Sequence, residues 1–258
     1  MKKALKYTII FVAWIGIWYG FSALCNINSL LHFPYPHEVI STLFQLLKTT
    51  TFYSATGLSL LRILIGIIIA ILLGVILAVI SSLSSHIYDF FKPFLAIVKS
   101  TPVVAFIFLV FVVVGSDMTP IVICSLMVIP VVYSNVYQGI KKTDTNLLEV
   151  CSVYKLSFGK KLYSVYIPSV LPYFVSSLIS SVGLGWKAGV AAEVLCATKK
   201  SIGIEIFNAK SYLEYANLFA WTLTVIILSL ILESAITYLL KLISKKYLSY
   251  SEVNNENS

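Results

Sequence analysis

Polar side chains are scarce in this 258-residue chain, and those that stand inside apolar runs are the first place to look for chemistry. They are Ser100, Thr101, Ser134, Asn135, Trp186, Lys187 and Glu193. Hydroxyls, an amide, an indole N–H and two opposite charges bind and orient a solute; they do not supply a nucleophile with its base. Polar groups at membrane depth are costly and mark solute or ion pathways. Each also has a plain structural reading: Lys187 can snorkel to an interface and Glu193 can sit at the outer surface. The histidines His32, His37 and His86 have no partner at ligand spacing, so no metal site is expected. Cys25, Cys124, Cys151 and Cys196 are scattered without a Cys-x-x-Cys pair and read as small buried hydrophobes. No G-x-x-x-x-G-K-[ST] loop occurs. The chain is expected to hold no cofactor, to hydrolyse no ATP and to catalyse nothing.

The elements that must position these residues are set by composition. Hydrophobic residues make up 59% of the chain and charged ones 12%, and the mean hydropathy is +0.91. Soluble chains carry about 25% charged residues, so this one needs lipid to cover its apolar surface. A spanning helix takes ~20 mainly apolar residues. Six segments qualify, at about 7–25, 60–82, 95–115, 119–139, 170–192 and 217–240. The expected fold is all-α, a polytopic membrane protein of about six transmembrane helices, with residues 1–250 as one domain and a disordered polar tail at 251–258. Gly66, Ala70 and Gly74 form a small-xxx-small ladder suited to close helix contact. Pro102 breaks the third span near its start, and Pro168 and Pro172 break the chain before the fifth.

The net charge of +8 is not read as a nucleic-acid footprint, because its lysines flank apolar runs. Lys2, Lys3 and Lys6, the lysines of 139–165, and Lys241, Lys245 and Lys246 fall on one side of a six-span chain. The positive-inside rule makes that side, with both termini, cytoplasmic.

The loop 140–168 is the most informative stretch. Asn146 can cap a short helix, with Glu149 reaching back to it. Leu147, Val150, Cys151 and Tyr154 then share one face. Ser157 can cap a second short helix bearing Lys160 and Lys161. An apolar helix face outside the membrane packs either on a soluble partner or on the protein's own inner helix ends, and spacing alone leaves both open.

This loop resembles the coupling loop of binding-protein-dependent ABC importer permeases. Glu149-Val150-Cys151 stands at the E-A-A positions of that pattern, Pro168 follows at the family's spacing, and Ser157 matches its frequent serine. Val150 and Cys151 replace both alanines, and Lys155 replaces the glycine, which takes a left-handed turn more cheaply. Ser59–Ser82, Pro93–Gly115 and Gly183–Leu195 also resemble the nitrate, sulfonate and taurine branch of these permeases. The resemblance implies a prokaryotic cell-membrane importer with two permease copies, identical in this reading. Two separate cytoplasmic ATP-binding subunits and an extracytoplasmic substrate-binding protein would complete it. It assigns ATPase coupling to Leu147, Leu148, Glu149, Val150, Cys151, Tyr154 and Ser157. It places the substrate path along spans three to five, where Ser100, Thr101, Ser134, Asn135, Trp186, Lys187 and Glu193 lie. Glu149 also suits a helix N-terminus as an acid, whatever it touches. The substrate it implies is a small solute, such as nitrate, a sulfonate, taurine or a vitamin precursor.

Other readings compete on the residues. An ion-coupled secondary carrier needs ionisable groups at the midplane, where only Lys187 and Glu233 come near. A membrane enzyme needs a facing polar cluster, which the sequence does not offer. A purely structural subunit would assemble with no ATPase.

Overall fold

The computed structural model describes the backbone of residues 2–27 and 33–255 and the side chains of 5–27 and 33–240; His32 lies outside the described residues. The described residues form helices α1 (Lys2–Asn26), α2 (Pro36–Leu46), α3 (Thr50–Leu83), α4 (Ser85–Ser100), α5 (Val103–Lys141), α6 (Thr145–Val153), α7 (Phe158–Lys161), α8 (Ile167–Leu195), α9 (Ile202–Ser211) and α10 (Tyr215–Asn255). Five helical stretches are long and apolar enough to cross a membrane: Leu5–Asn26, Thr50–Leu83, Val103–Lys141, Phe158–Leu195 and Tyr215–Leu240.

The third of these is not one rod. Gly115 inside it has φ 77° and ψ 177°, a left-handed value that glycine adopts without a Cβ penalty. Lys99 Nζ, just before α5, donates to Ser134 Oγ at 2.8 Å. A straight helix would carry Ser134 on the order of 45 Å beyond Val103 at ~1.5 Å per residue, so the chain doubles back. Tyr88 stacks on Tyr137 with ring centroids 4.7 Å apart, and Ile107 and Ile123 share one buried cluster. Residues 85–114 thus form one ascending arm, broken at Thr101–Pro102, and 116–141 the descending arm.

Close glycine contacts give the other directions. A Cβ on Gly66 would stand 2.7 Å from the Ile121 carbonyl oxygen, and one on Gly74 2.8 Å from Val132 Cβ. Residue numbers rise together, so α3 and the descending arm run parallel, as they must with one crossing between them. Gly189 and Gly185 face Ile63 and Ile67 in turn, so α8 runs antiparallel to α3. The Trp186 indole N–H donates to Val225 O at 3.1 Å, and Gly183 abuts Glu233, so α10 runs antiparallel to α8. The core lies where α3, the descending arm and α8 meet, around Ile63, Ile67, Cys124 and Trp186. Ser125 Oγ donates to Gly66 O at 2.9 Å, which needs the bare glycine backbone.

Two details differ from what the sequence suggests. Pro168 and Pro172 do not break the chain before the fifth span: a π-helical turn at Leu162–Tyr166 carries the helix through. There the Ile167 N–H bonds Leu162 O, five residues back, a wider turn in which prolines near a helix start are accommodated. The polar residues 251–255, expected to lack structure, continue α10 to Asn255, since no glycine or proline interrupts them; 256–258 lie outside the described residues. Glu233, the ionisable group noted near the midplane, accepts from Ser229 Oγ at 3.3 Å.

Candidate functional site: an exposed turn and a polar seam in the bundle

At the basic end of the bundle, α6 projects as a nine-residue helix. Its cap corrects the sequence reading: Asp144 Oδ1, not Asn146, accepts the Asn146 N–H at 2.8 Å. A cap side chain must precede the first free N–H groups, and Asp144 does so by two residues. Ser157 stands at the N-cap of α7 as expected, but its hydroxyl makes no cap bond. Between the two helices, Leu156 N–H bonds Cys151 O at 3.0 Å and Lys155 N–H bonds Ser152 O at 3.1 Å. That is a Schellman ending, and it needs a left-handed residue at Lys155, whose φ is 49°. The lysine thus takes the turn that glycine takes in the motif, at a cost of about 1 kcal/mol. Lys155→Gly is expected to raise the stability of the turn by about that amount, read as slower hydrogen exchange at Leu156.

The predicted apolar face is only partly covered. Cys151 is buried and Leu148 half-buried, while Leu147, Val150, Val153 and Tyr154 are exposed, Val153 and Tyr154 by 78% and 75%. Glu149 is exposed too. Behind α6 lies a cavity of about 560 Å³, walled by Val79, Val136, Leu148, Phe158, Leu162 and Val170 among others. The helix therefore rests on the bundle through Cys151 and Leu148 and offers its remaining apolar side chains outward.

Within the bundle the polar residues separate into two groups. Lys99 meets Ser134, which donates in turn to Pro130 O at 2.7 Å. Asn135 Nδ2 donates to Val131 O at 2.9 Å. Ser100 and Thr101 lie at the broken turn, both donating to Ile97 O. Lys187 is exposed on α8, whereas Trp186 is fully buried. Glu193 is also fully buried and stands apart from Ser134 and Asn135, at the end of the bundle that carries α9. Ser59 Oγ donates to its Oε2 at 2.6 Å and accepts the Ile202 N–H at 2.9 Å. Gly203 N–H reaches the same Oε2 at 3.4 Å. Arg62 lies 3.8 Å from Oε1 and donates to the carbonyls of Lys199 and Lys200. Glu193 thus ties α9 and the loop before it to α3 and α8. Sequence reasoning passed over Lys99, Ser59 and Arg62. Lys99 was visible as a lysine well inside the apolar segment 93–115; the pairing of Ser59 with Glu193 had no sequence signal.

The family whose pattern matches residues 66–248 is the binding-protein-dependent transport system inner membrane component, and the chain belongs to that family. It is therefore a multi-pass membrane permease of the ABC type rather than an ion-coupled carrier. The taurine transport system permease protein TauC of Escherichia coli is 23% identical over 85% of this chain and 81% of its own length. The nitrate import permease protein NrtB of Synechococcus elongatus is 25% identical over 81% of this chain and 77% of its own. The bicarbonate transport system permease protein CmpB of a Synechocystis strain is 31% identical over 43% of this chain, a match that spans 39% of that protein. A solved amino acid ABC transporter chain, described with histidines, shares the fold with TM-score 0.60 at 14% identity, covering 76% of this chain and 94% of its own.

Proposed function

We propose that this chain is one of two identical permease subunits of an ATP-driven importer for a small oxyanion-bearing solute. The basic end faces the cytoplasm, where two ATP-binding subunits dock, and an extracytoplasmic binding protein delivers solute to the other end. The observation that carries this reading is the exposed apolar face of α6. Leu147, Val150, Val153 and Tyr154 stand outside the membrane segments without cover from their own chain, as a helix does that seats in a partner's groove. Cys151 and Leu148 fasten it to the bundle, so a displacement of α6 by the closing ATPase pair is passed to the inner ends of α3, the descending arm and α8. Those helices then rock between two packed arrangements. Glu149, exposed beside this face, is the polar contact across the same interface, and Ser157 sets the start of the following helix.

The names of the relatives support an oxyanion group on the cargo, since nitrate, bicarbonate and the sulfonate of taurine all carry negative oxygens. Ser100, Thr101, Ser134, Asn135 and Lys187 belong to the solute path in this reading. Trp186 and Glu193 shape its walls from behind, both being buried.

The test is ATP hydrolysis by the reconstituted complex. Val150→Asp and Leu148→Asp are expected to lower hydrolysis stimulated by loaded binding protein at least tenfold, with Glu149→Ala giving a smaller loss. Full stimulation in both aspartate variants, with the ATPase still bound, would remove α6 from the coupling path.

A further inference from the structure

We propose that Lys99 is the cationic anchor of a binding site for the oxyanion group of the solute, set inside the membrane at the broken turn of the ascending arm. The inference rests on the importer reading above and adds to it a residue and a chemistry. Lys99 stands roughly 10 Å along the helix from Lys92, and Ser134 roughly 10 Å along the descending arm from Lys141, at ~1.5 Å per residue. Both thus lie well inside the ring of lysines at the basic end. A lysine at such depth normally points its ammonium out to the interface. Here Nζ instead meets Ser134 Oγ on the neighbouring arm. Among the described residues no carboxylate lies within salt-bridge range of it. The Lys99 side chain is exposed, and an ionisable group this far along the apolar arms with no counter-charge of its own is a functional group in want of an anion.

The break in the arm leaves further donors on the backbone. Lys99 has three N–H bonds and spends one on Ser134. Thr101 and Pro102 leave the helix in extended conformations, and helical bonding resumes with the Ala105 and Phe106 N–H groups on Pro102 O. The N–H groups of Val103 and Val104 are therefore not consumed by the helix they start. Interrupted spans place such N–H groups on anionic cargo in transport proteins. The hydroxyl of Ser134 and the amide of Asn135 donate to carbonyls of their own helix. Ser134 is therefore a positioning residue, which holds the ammonium by accepting from it. The ammonium, the two backbone N–H groups and the positive end of the 103–114 arm all favour negative charge. A single lysine is a point charge without the fork of an arginine. It suits a monovalent nitrate, bicarbonate or sulfonate, held loosely enough to move on.

The experiment uses the permease with its own ATPase and binding protein in vesicles of phosphatidylethanolamine and phosphatidylglycerol. Uptake of labelled nitrate, bicarbonate, taurine and methanesulfonate is measured beside neutral glycerol and cationic choline. ATP-dependent uptake of an anion is expected, with KM raised tenfold or more by Lys99→Gln and restored to within threefold by Lys99→Arg. Ser134→Ala is expected to raise KM by a smaller factor, and Ser134→Thr to restore it. Anion uptake indifferent to Lys99→Gln overturns the proposal and leaves the importer reading intact; uptake confined to glycerol or choline overturns it together with the oxyanion cargo, leaving only the ATP-driven importer. If the ATPase neither co-purifies nor responds to binding protein, the importer reading itself fails. A Lys99→Gln effect that vanishes in vesicles without phosphatidylglycerol assigns the lysine to a lipid phosphate and also overturns it. Independently of the solute, Lys99→Cys is expected to react with water-soluble charged methanethiosulfonates in the assembled complex. No reaction in any nucleotide state places residue 99 against lipid and ends the proposal.

Discussion

Glu193→Ala is expected to release α9 and the loop before it from the bundle. The carboxylate accepts from Ser59 Oγ and the Gly203 N–H and stands beside Arg62, and it is fully buried. Removing one member of such a buried charged network costs about 3–5 kcal/mol, because its partners stay buried without it. In a chain of this size that corresponds to a fall in Tm on the order of 10 °C. Faster proteolysis within 197–201 should accompany it. Glu193→Gln keeps an oxygen for Ser59 and Gly203 and loses only the attraction to Arg62, so most of the stability should remain. Gly203→Ala should reproduce the alanine variant from the opposite side, since a Cβ there runs into Glu193 Cβ and its backbone carbonyl carbon. Neither can move without moving α8. A Glu193→Ala protein as stable as the parent would show that α9 is held by its apolar contacts, Ile202 above all, and not by the carboxylate.

Gly66→Ala is the second large effect expected. The added Cβ would lie 2.7 Å from Ile121 O and 2.9 Å from Cys124 Cβ. One neighbour is backbone and the other is the root of a side chain, so no rotamer change relieves the clash and the two helices must part. Overpacking of this kind costs about 1–3 kcal/mol. Here the parting also breaks the Ser125–Gly66 and Cys124–Ile63 bonds, which places the effect at the upper end. Gly189→Ala meets only side-chain atoms of Ile63, Cγ1 at 2.6 Å and Cδ1 at 2.9 Å, with no backbone atom in the way, and should be milder. Thermal unfolding of the three proteins in one detergent ranks them; a Gly189→Ala loss equal to that of Gly66→Ala would contradict this account of the contact.

The ladder Gly66–Ala70–Gly74 was legible in the sequence because small residues at helical spacing have one use in lipid, close approach of a second helix. The exposed side chains of α6 were legible as a periodic face, but not their exposure. Spacing shows which residues share a face and cannot show what covers it. The turn at Lys155 was obscured because the residue there is not glycine. Backbone bonds from Lys155 and Leu156 fix the conformation, and the side chain merely tolerates it. The burial of Glu193 was hidden for a related reason. A carboxylate near the end of an apolar run looks like a surface or pathway group until its partners are known, and Ser59, Arg62 and Gly203 come from α3 and α9. Lys99 needed the reversal at Gly115, which brings Ser134 back beside it.

That reversal also bears on how the chain enters the bilayer. Past its break at Thr101–Pro102 the ascending arm has about 12 residues, 103–114, roughly 18 Å of helix, well short of the ~30 Å hydrocarbon layer. That part does not span alone, and the α4 half that must complete it brings Lys99 with it, which resists transfer. Joined at Gly115, the two arms form a ready-made hairpin in which Ser134 accompanies the lysine and Ile107 covers Ile123. Residues 85–141 are therefore expected to enter the bilayer together. A ribosome stalled with Ser116–Lys141 still in its exit tunnel should leave Lys99 outside the membrane, to be drawn in only when the second arm emerges.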